Sequence, residues 1–338
     1  MRVSTIGLDI AKNVFQVHGV DEKGRTVLRK RLRRAQVAEF FANVPQSVVG
    51  LEACGGAHYW RRVLSRFGHE VRLMAPQFVK AYVKTNKNDA ADAEAICEAV
   101  DRPNMRFVPA KSVEQQDLQA LHRLRTRLIG NRTQLSNQIR GLLAEYGIVL
   151  PKQLSQLRRA LPMLLEDGDN ELTPMGRGLF ASLFEELLQL DKRIESFDKQ
   201  LASIHRQSPQ CRRIAEVEGI GPITATALVA AICDGKSFTN GRQLSAWLGL
   251  VPRQHSSGDK RRLLGISKRG DPYLRTLLIH GARSVVYRAK GKTDARSRWI
   301  AEKQAKLGTP KTCVAVANKN ARIVWALLAH EESYRKAA

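Results

Sequence analysis

Apolar and β-branched residues recur in short runs near the start of the chain, and such runs predict β-strands separated by helices. The first three runs, divided by polar turns at 12–13 and 21–24, predict strands at 3–10, 14–20 and 26–32. Further strands are expected at 47–51 and 71–74, and helices at about 35–43 and 58–67. The pattern therefore predicts an α/β domain that opens with a three-stranded meander.

The order of these elements is that of an RNase-H-like fold, in which three antiparallel strands precede alternating helices and strands. In such a sheet the first strand is central and the fourth lies beside it. Actin-like ATPases begin in the same way, but the later sequence has no glycine-rich phosphate loops for a second ATP-binding half. We therefore predict an RNase-H-like domain over residues 1–111, to which helices beyond 111 could also belong.

Leucine and isoleucine recur at spacings of three, four or seven over residues 112–206. The first series is Leu118, Leu121, Leu124, Leu128, Leu135, Ile139 and Leu142. The second is an unbroken heptad seam of Leu183, Leu187, Leu190, Ile194, Phe197, Leu201 and Ile204. A segment at 151–176 containing proline, glycine and aspartate separates them. These patterns predict a long antiparallel coiled-coil hairpin that acts as a spacer or assembly arm.

Residues 207–338 are expected to form a mainly α-helical domain. Near its start, Gly219 and Gly221 in Glu-Gly-Ile-Gly-Pro precede the apolar run at 223–232. This is similar to the turn of a helix-hairpin-helix, where backbone N–H groups approach a phosphate at a helix N-terminus. A plain corner between two helices with a glycine C-cap explains the same residues equally well.

Four carboxylates stand where an RNase-H-like sheet would bring them together. Asp9 lies in the first predicted strand, Glu52 just past the fourth, and Asp89 and Asp92 share one face of a following helix. Such a group repels itself unless divalent cations neutralise it, and Mg²⁺ prefers oxygen ligands and can promote phosphoryl transfer. Taken singly, Asp89 is explained as a helix N-cap and Asp92 as a first-turn acid, whereas Asp9 is costly to bury.

The strongly positive net charge of the chain indicates which class of partner it binds. Lysine and arginine total 56 against 32 acidic residues, a formal net charge of +24. A polyanion is the simplest partner for so basic a chain, although ribosomal and membrane-surface proteins are equally basic. Residues 251–338 alone carry 20 basic and 6 acidic residues, a net charge of +14.

The same composition speaks against a membrane or secreted protein. The chain has no run of about 18 apolar residues and no secretory signal at its N-terminus. Its cysteines form no CxxC pair, and they are Cys54, Cys97, Cys211, Cys233 and Cys313. We therefore expect reduced thiols in a cytoplasmic, nucleoid-associated protein and no zinc site.

The basic segment at about 253–271 contains a candidate nucleophile. Ser256 and Ser257 precede Gly258 and are surrounded by arginine and lysine. Such a serine can attack a phosphodiester while the cations stabilise the developing charge. The composition is also common in ordinary loops, and His255 is equally well explained as a solvated or phosphate-contacting side chain. The residues by themselves leave the role of this loop open.

Several motifs occur in a fixed order along the chain. They are Gly-Leu-Asp-Ile-Ala-Lys (7–12), Leu-Glu-Ala-Cys-Gly-Gly (51–56), Asn-Lys-Asn-Asp-Ala-Ala-Asp-Ala (86–93), Glu-Gly-Ile-Gly (218–221), Ala-Trp-Leu-Gly-Leu-Val-Pro-Arg (246–253), Ser-Ser-Gly (256–258) and Ile-Ser-Lys-Arg-Gly (266–270). In this combination the chain resembles, over essentially its whole length, the DEDD transposases of the IS-one-ten insertion-sequence family. It departs from them at Cys54, where the family often has threonine.

The resemblance implies a RuvC-like domain (1–111), a coiled-coil arm (112–206) and a helical transposase domain (207–338). Asp9, Glu52, Asp89 and Asp92 match the family's Mg²⁺-binding carboxylates, with Mn²⁺ as the alternative ion. The serine before the loop glycine, Ser257, matches the catalytic serine that forms a 5′-phosphoserine link to DNA, although Ser256 stands directly before it. Nucleic-acid contacts are expected from Gly219, Gly221, Arg253, Lys260, Arg261, Arg262, Lys268, Arg269 and Arg275.

The family also implies partners. A guide (bridge) RNA encoded beside the gene would pair with donor and target DNA. The carboxylates and the serine would meet as a composite site between subunits of a tetramer that assembles from dimers. Two other functions stay open: a RuvC-like junction nuclease in which metals activate water, and a non-catalytic architectural protein that binds DNA or RNA.

Overall fold

The computed structural model describes residues 2–84, 88–258, 260 and 262–335. These residues form two compact units, Met1–Val113 and Glu114–Ala338. Arg261, one of the expected nucleic-acid ligands, and Asn86 and Lys87 of the third motif lie outside the described residues. The other candidate site residues are all within it.

The first unit is built on a six-stranded sheet with the order β3-β2-β1-β4-β5-β6. The strands are β1 Thr5–Ile10, β2 Val14–Val20, β3 Thr26–Arg33, β4 Val48–Glu52, β5 Glu70–Met74 and β6 Phe107–Val108. Strand β1 is antiparallel to β2 and parallel to β4, and β4 is parallel to β5. The first five strands lie close to their predicted bounds, and the predicted neighbour relation of β1 and β4 is confirmed. The short β6, which pairs antiparallel with β5, was not predicted.

Helices cover both faces of this sheet. They are α1 Val37–Ala42, α2 Ala57–Arg66, α3 Pro76–Val79 and α4 Asp89–Val100. Inward-facing side chains of β1 and β4, including Ile6, Leu8 and Leu51, form one apolar cluster with residues of α1 and α2. Helix α4 packs on the opposite face through Ile96 and Val100. The result is a mixed α/β sheet between two helical layers, consistent with a RuvC-like domain.

The second unit begins with long helices. They are α5 Val113–Ala144, α6 Leu154–Glu166 and α7 Pro174–Gln207. Ion pairs of Arg125 with Asp198 and of Arg132 with Asp191 connect α5 to α7, the latter with 3.0 Å between Nη1 and Oδ1. Because the partner numbers fall on α7 as they rise on α5, the two helices run antiparallel. Their apolar faces, with Leu157 and Leu161 of α6, form one buried cluster.

The apolar seam of α5 differs from the predicted one. Leu124 and Leu142 are exposed by 48% and 43%, whereas His122 and Leu143 are buried. The prediction for α5 followed the spacing of leucine and isoleucine and missed the buried His122. The seam of α7 agrees better with the structure, since Leu187, Leu190, Ile194 and Leu201 are buried.

The rest of the second unit is a helical bundle with a small β-hairpin. Its elements are α8 Pro209–Ala215, α9 Pro222–Ile232, α10 Gly241–Trp247, β7 Pro252–Gln254, β8 Leu263–Ile266, α11 Pro272–Arg288, α12 Ala295–Leu307 and α13 Thr309–Ala329. The apolar run at 223–232 forms α9, which is buried along most of its length. In the described part of the chain, no helix has the length and apolar content to cross a membrane.

A buried hydrogen-bond network joins α5 to this bundle. His122 Nδ1 lies 2.9 Å from the Tyr273 hydroxyl of α11, and Nε2 lies 3.1 Å from Thr226 Oγ1 of α9. The Thr226 hydroxyl donates to the carbonyl of Pro222 (2.8 Å), which leaves its oxygen free to accept from Nε2. Burial first, and then the charge of Arg125, lowers the pKa of His122 to about 4. The imidazole is therefore neutral at neutral pH and serves as a structural bridge.

We expect this bridge to make folding stability depend on pH between about 6.5 and 4. The unfolded histidine takes up a proton near pH 6.5 and the folded one only near pH 4, so the unfolded state gains stability as pH falls through that window. His122→Gln has no such titration. The difference in unfolding free energy between wild type and this variant should shrink by up to about 1.4 kcal/mol per pH unit as pH falls. Urea unfolding at several pH values checks this, and a constant difference would contradict it.

Candidate active site

Two of the candidate carboxylates are cross-strand neighbours. Strands β1 and β4 pair Gly7 with Gly50 and Leu8 with Leu51. The next residues in this register are Asp9 and Glu52. Side chains alternate between the faces of a strand, so both carboxylates lie on the face that carries Gly7 and Gly50. The prediction placed Glu52 just past its strand, whereas it is the last residue of β4.

Helix α4 lies unusually close to that face. A Cβ atom on Gly7 would stand 2.1 Å from the carbonyl oxygen of Ala93, and one on Gly50 would stand 2.9 Å from Val100 Cβ. Cys97 Sγ, further along the helix, lies 3.7 Å from the carbonyl oxygen of Thr5. The helix therefore runs back along β1, and its N-terminal end lies at the end of β1 that carries Asp9. Asp89 and Asp92 belong to that end.

The electrostatics of Glu52 support this convergence. Partial burial, followed by the negative charges of Asp9 and Asp92, raises the pKa of Glu52. Both charges disfavour ionisation of Glu52, as expected for a carboxylate that has others close to it. The described residues nevertheless contain no group of three or more acidic, histidine or cysteine side chains arranged to hold a metal ion.

The N-cap of α4 differs from the simplest expectation. Asn88, not Asp89, caps the helix, with its side-chain oxygen accepting from the backbone N–H of Ala90 at 3.0 Å. The interpretation of Asp89 as an N-cap is therefore wrong. Asp89 is an exposed residue of the first turn, and its carboxylate is not needed for capping.

A second candidate site lies on the hairpin of the second unit. The segment expected to be a loop contains the antiparallel strands β7 and β8, and their connection carries Ser256 and Ser257. Ser256 Oγ accepts from Gln254 Nε2 at 3.1 Å and from the backbone N–H of Arg262 at 3.3 Å. Ser257 is exposed, pairs with Lys260 through a backbone bridge, and precedes Gly258 in a left-handed conformation. Ser256 thus stabilises the hairpin, and the Ser257 side chain has no hydrogen bond to any described residue.

Close backbone packing anchors the base of this hairpin. Gly270, at φ +85°, would place a Cβ 1.9 Å from the carbonyl oxygen of Trp247, and Gly249 would place one 2.1 Å from that of Arg269. The motifs at 246–253 and 266–270 therefore pack directly on each other. Arg275 is buried beneath them and donates to the carbonyls of Leu248 and Arg269, each at 3.2 Å. Arg275 has a structural role here, and its contact with nucleic acid stays a prediction.

The other expected nucleic-acid ligands differ in their surroundings. Five cationic side chains of the hairpin region are exposed to solvent: Arg253, Lys260, Arg262, Lys268 and Arg269. Gly221 is an exposed N-cap of α9. Gly219 instead packs against α11, because a Cβ on Gly281 would lie 1.8 Å from its carbonyl oxygen. In the turn at 218–221, Gly219 is therefore a packing residue and Gly221 is exposed at the start of α9.

Comparison with known proteins finds related sequences for both units. A family profile described as "Transposase IS116/IS110/IS902 family" matches residues 211–298, which include the serine hairpin. A second profile, the DEDD transposase domain of the IS110 elements, matches residues 6–148, which include all four carboxylates. Similarity to whole transposases extends over nearly the entire chain.

Three curated relatives illustrate this similarity. A probable family 20 transposase of Pseudomonas aeruginosa is 52% identical and covers 99% of both chains. The transposase for insertion sequence element IS1111A of Coxiella burnetii is 46% identical over 98% of this chain and 92% of its own. The transposase for IS1328 of Yersinia enterocolitica is 39% identical over 96% of both. The chain belongs to the IS110 family of transposases.

Membership in this family defines the class of reaction. The chain is a DNA-cleaving and DNA-rejoining enzyme of a bacterial insertion sequence. Its DEDD domain implies a divalent metal ion. The side chains present fit such an ion, because Asp9 and Asp92 bring carboxylate oxygens close enough to Glu52 to raise its pKa beyond the effect of burial, and carboxylate oxygens suit hard divalent cations.

Sequence reasoning missed several residues on which the site geometry depends. Gly7 is part of a predicted motif but has no predicted role, and no prediction concerns Gly50, although both glycines allow α4 to lie close to the sheet. The hairpin β7–β8 was missed because its strands are short and exposed and lack apolar alternation. Each glycine stands two residues before a candidate carboxylate, Gly7 before Asp9 and Gly50 before Glu52. This shared spacing is the sequence signal that could have identified them.

Gly7→Ala is expected to force α4 away from the carboxylates. Its methyl group meets backbone atoms of α4, which cannot rotate aside, so the loss of stability should reach about 3 kcal/mol, the upper part of the range for overpacking. Gly55→Ala is the matched control, since a Cβ there has no atom within 4 Å. Urea unfolding of both variants measures the effect. Equal stabilities would show that the close approach of α4 does not constrain the site.

Proposed function

We propose that this transposase is an RNA-guided DNA recombinase that cuts and rejoins donor and target DNA through a 5′-phosphoserine on Ser257. The assignment rests on a difference in hydrogen bonding between the two adjacent serines. The Ser256 hydroxyl accepts two hydrogen bonds within the hairpin, whereas Ser257 is exposed beside a left-handed glycine. Both serines are exposed, and Ser257 is the one whose hydroxyl has no hydrogen-bond partner among the described residues.

The proposed step is a transesterification. The Ser257 oxygen forms a bond to a backbone phosphorus, and the bond from that phosphorus to the 3′-oxygen breaks. The serine proton passes to the leaving oxygen as a 3′-hydroxyl. Rejoining reverses these changes with a different 3′-hydroxyl, so the phosphoester energy is conserved and ATP is not required. Exposed cations of the hairpin, among them Arg253 and Arg262, can stabilise the charge that develops on the phosphate.

The four carboxylates are proposed to hold Mg²⁺, with Mn²⁺ as the alternative. A divalent ion would offset the mutual repulsion that raises the pKa of Glu52 and would supply Lewis-acid activation of a phosphate oxygen. Asp9 and Glu52 would hold it from adjacent strands, and Asp89 and Asp92 from the first turn of α4. The family resemblance supports this set of ligands.

The remaining parts of the proposal concern assembly. The antiparallel helices α5 and α7 are proposed to form the coiled-coil arm that joins protomers into dimers and a tetramer, and the turn at Gly219–Gly221 to act as a helix-hairpin-helix. The three-part division at 111 and 206 belongs to this scheme. A guide RNA encoded beside the gene would bring donor and target DNA to a composite site formed by carboxylates and serine of different subunits.

Ser257→Ala is expected to abolish the covalent protein–DNA adduct while leaving DNA binding intact, because only the attacking oxygen is lost. Ser256→Ala is the matched control and should retain the adduct, at a lower rate if the hairpin loosens. Both are assayed with a labelled DNA substrate, denaturing electrophoresis and mass spectrometry of the linked peptide. An adduct that survives in Ser257→Ala would refute the assignment. Cleavage that leaves free ends and no adduct in the wild type would favour the junction nuclease.

Asp9→Asn should block strand cleavage, because it removes one anionic ligand while preserving side-chain shape. EDTA should have the same effect on the wild type, and added Mg²⁺ or Mn²⁺ should restore activity. Isothermal titration with Mn²⁺ reports ion binding independently of cleavage and should weaken at least about tenfold in Asp9→Asn, since a carboxylate ligand contributes strongly to affinity for hard cations. Full cleavage in EDTA would contradict the metal role.

A further inference from the structure

An open cleft lies in the second unit, separate from the serine. Its volume is about 1450 Å³, larger than the roughly 300–1,000 Å³ of typical small-ligand pockets. Helix α13 contributes one wall with Lys311, Lys319 and Arg322, and α10 contributes Arg242. Pro252 and Ile266, at the base of the serine hairpin, line its edge. A cleft of this size and openness suits a segment of polymer better than a small molecule.

The charge of the cleft is not compensated from within. Its lining contains six basic and three acidic residues. Two of the acids are engaged, since Glu218 pairs with Arg296 at 3.7 Å and Asp294 caps α12 by accepting from the N–H of Ser297 at 3.0 Å. By contrast, no described carboxylate forms an ion pair with four of the cations: Arg242, Lys311, Lys319 and Arg322.

The cations are held in place rather than dispersed. Lys319 Nζ lies 4.3 Å from the centroid of the Trp299 ring, a cation–π contact that fixes its ammonium at the wall. Burial, and then the charges of Arg296 and Arg322, lowers the pKa of Lys319, so these cations repel one another. Gly241 allows α10 to approach α13, because a Cβ there would stand 2.9 Å from Arg322 Cα. This contact brings the start of α10, where Arg242 follows Gly241, close to the part of α13 that carries Arg322.

Hydrogen bonds connect the walls of the cleft to the base of the serine hairpin. Asn318 of α13 donates through Nδ2 to the carbonyl of Leu250 at 3.2 Å, two residues before β7 begins. The carbonyl of Asn318 in turn accepts from Ser245 Oγ of α10 at 3.3 Å. The walls of the cleft and the base of the hairpin therefore form one packed structure.

We propose that this cleft binds the phosphate backbone of a nucleic-acid strand and holds it along the side of the serine hairpin. Arg242, Lys311, Lys319 and Arg322 contact successive phosphates without reading sequence, as is usual for backbone contacts. Trp299 is a positioning residue for Lys319. The inference rests on the proposed function only in that the substrate is nucleic acid, and it does not depend on serine chemistry.

The test measures binding in a Ser257→Ala background, so that failure of the serine mechanism does not affect it. Lys319→Ala/Arg322→Ala is compared with Arg298→Ala/Lys306→Ala, which removes the same charge from exposed sites on α12 that do not line the cleft. Single-stranded DNA, the matching RNA and duplex DNA are each titrated over about 50–200 mM salt. Thermal unfolding of both variants verifies that they fold.

The cleft variant should bind about tenfold more weakly at low salt. The slope of log affinity against log salt should fall by about 1.4–1.8, as for two lost phosphate contacts. The control should change by less than half as much. Loss confined to one of the three probes identifies the strand that the cleft holds, and loss for all three indicates recognition of any phosphate backbone. Equal effects of the two double variants on every probe would overturn the proposal.

The proposed function is tested separately. The same double substitutions are made in the protein that retains Ser257, and formation of the covalent protein–DNA adduct is measured. If the cleft variant binds weakly but still forms the adduct at saturating DNA, the cleft is a binding site and the serine mechanism stands. If cleft binding is confirmed and no protein forms an adduct, the cleft inference survives and the serine mechanism fails. The two proposals are therefore distinguishable.

Discussion

The contact between α4 and the central strands is the constraint on which the first unit depends. Two glycines in register, Gly7 and Gly50, leave no side chain between the helix and the sheet. The helix can then rest almost on the backbone of β1, and its first turn reaches the end of the strands where Asp9 and Glu52 lie. A larger residue at either position would separate carboxylates from two different parts of the chain. The acidic site is thus a consequence of backbone proximity more than of any attraction among the acids, which repel one another.

The second unit uses the same physical device. Gly249 and Gly270 bring the two segments that flank the hairpin into backbone contact, and Gly219 and Gly281 do so for the turn before α9 and the middle of α11. A short exposed hairpin has few apolar contacts of its own, so its orientation must come from its base. Arg275, buried below that base, satisfies two carbonyls that the irregular chain leaves without helical or sheet partners. Rigid anchoring is what allows an exposed serine to be presented at a defined position.

Electrostatics acts in opposite senses in the two units. In the first unit, neighbouring carboxylates attract cations. In the second unit, four cationic side chains line one cleft and form no ion pair with a described carboxylate, so they would attract phosphate. They are Arg242, Lys311, Lys319 and Arg322. Such an arrangement costs stability in the isolated protein, and binding of a polyanion at the proposed site would relieve the repulsion. Part of the net charge of +24 is therefore concentrated at the cleft, where a nucleic-acid strand is proposed to lie next to the hairpin.

The sequence by itself determined the first five strands and their helices in order along the chain, the place of β4 beside β1, the two long helices α5 and α7, and the motifs that indicated the family. The strands and helices follow from local periodicity, which each segment carries within its own residues. The family follows from the order of the motifs along the chain. Only the tertiary structure decided which residues support the sites. The burial of His122 rather than Leu124 depends on Tyr273 and Thr226, which are distant in sequence. The hydrogen bonds of Ser256, which Ser257 lacks among the described residues, depend on how a turn of exposed polar residues folds. The cap of α4 is local, but Asn88 and Asp89 are both good capping residues, and only the structure shows that Asn88 caps the helix. The cationic cleft, lined from α10, α12 and α13, is of the same kind, because no periodic pattern records which helices will face one another.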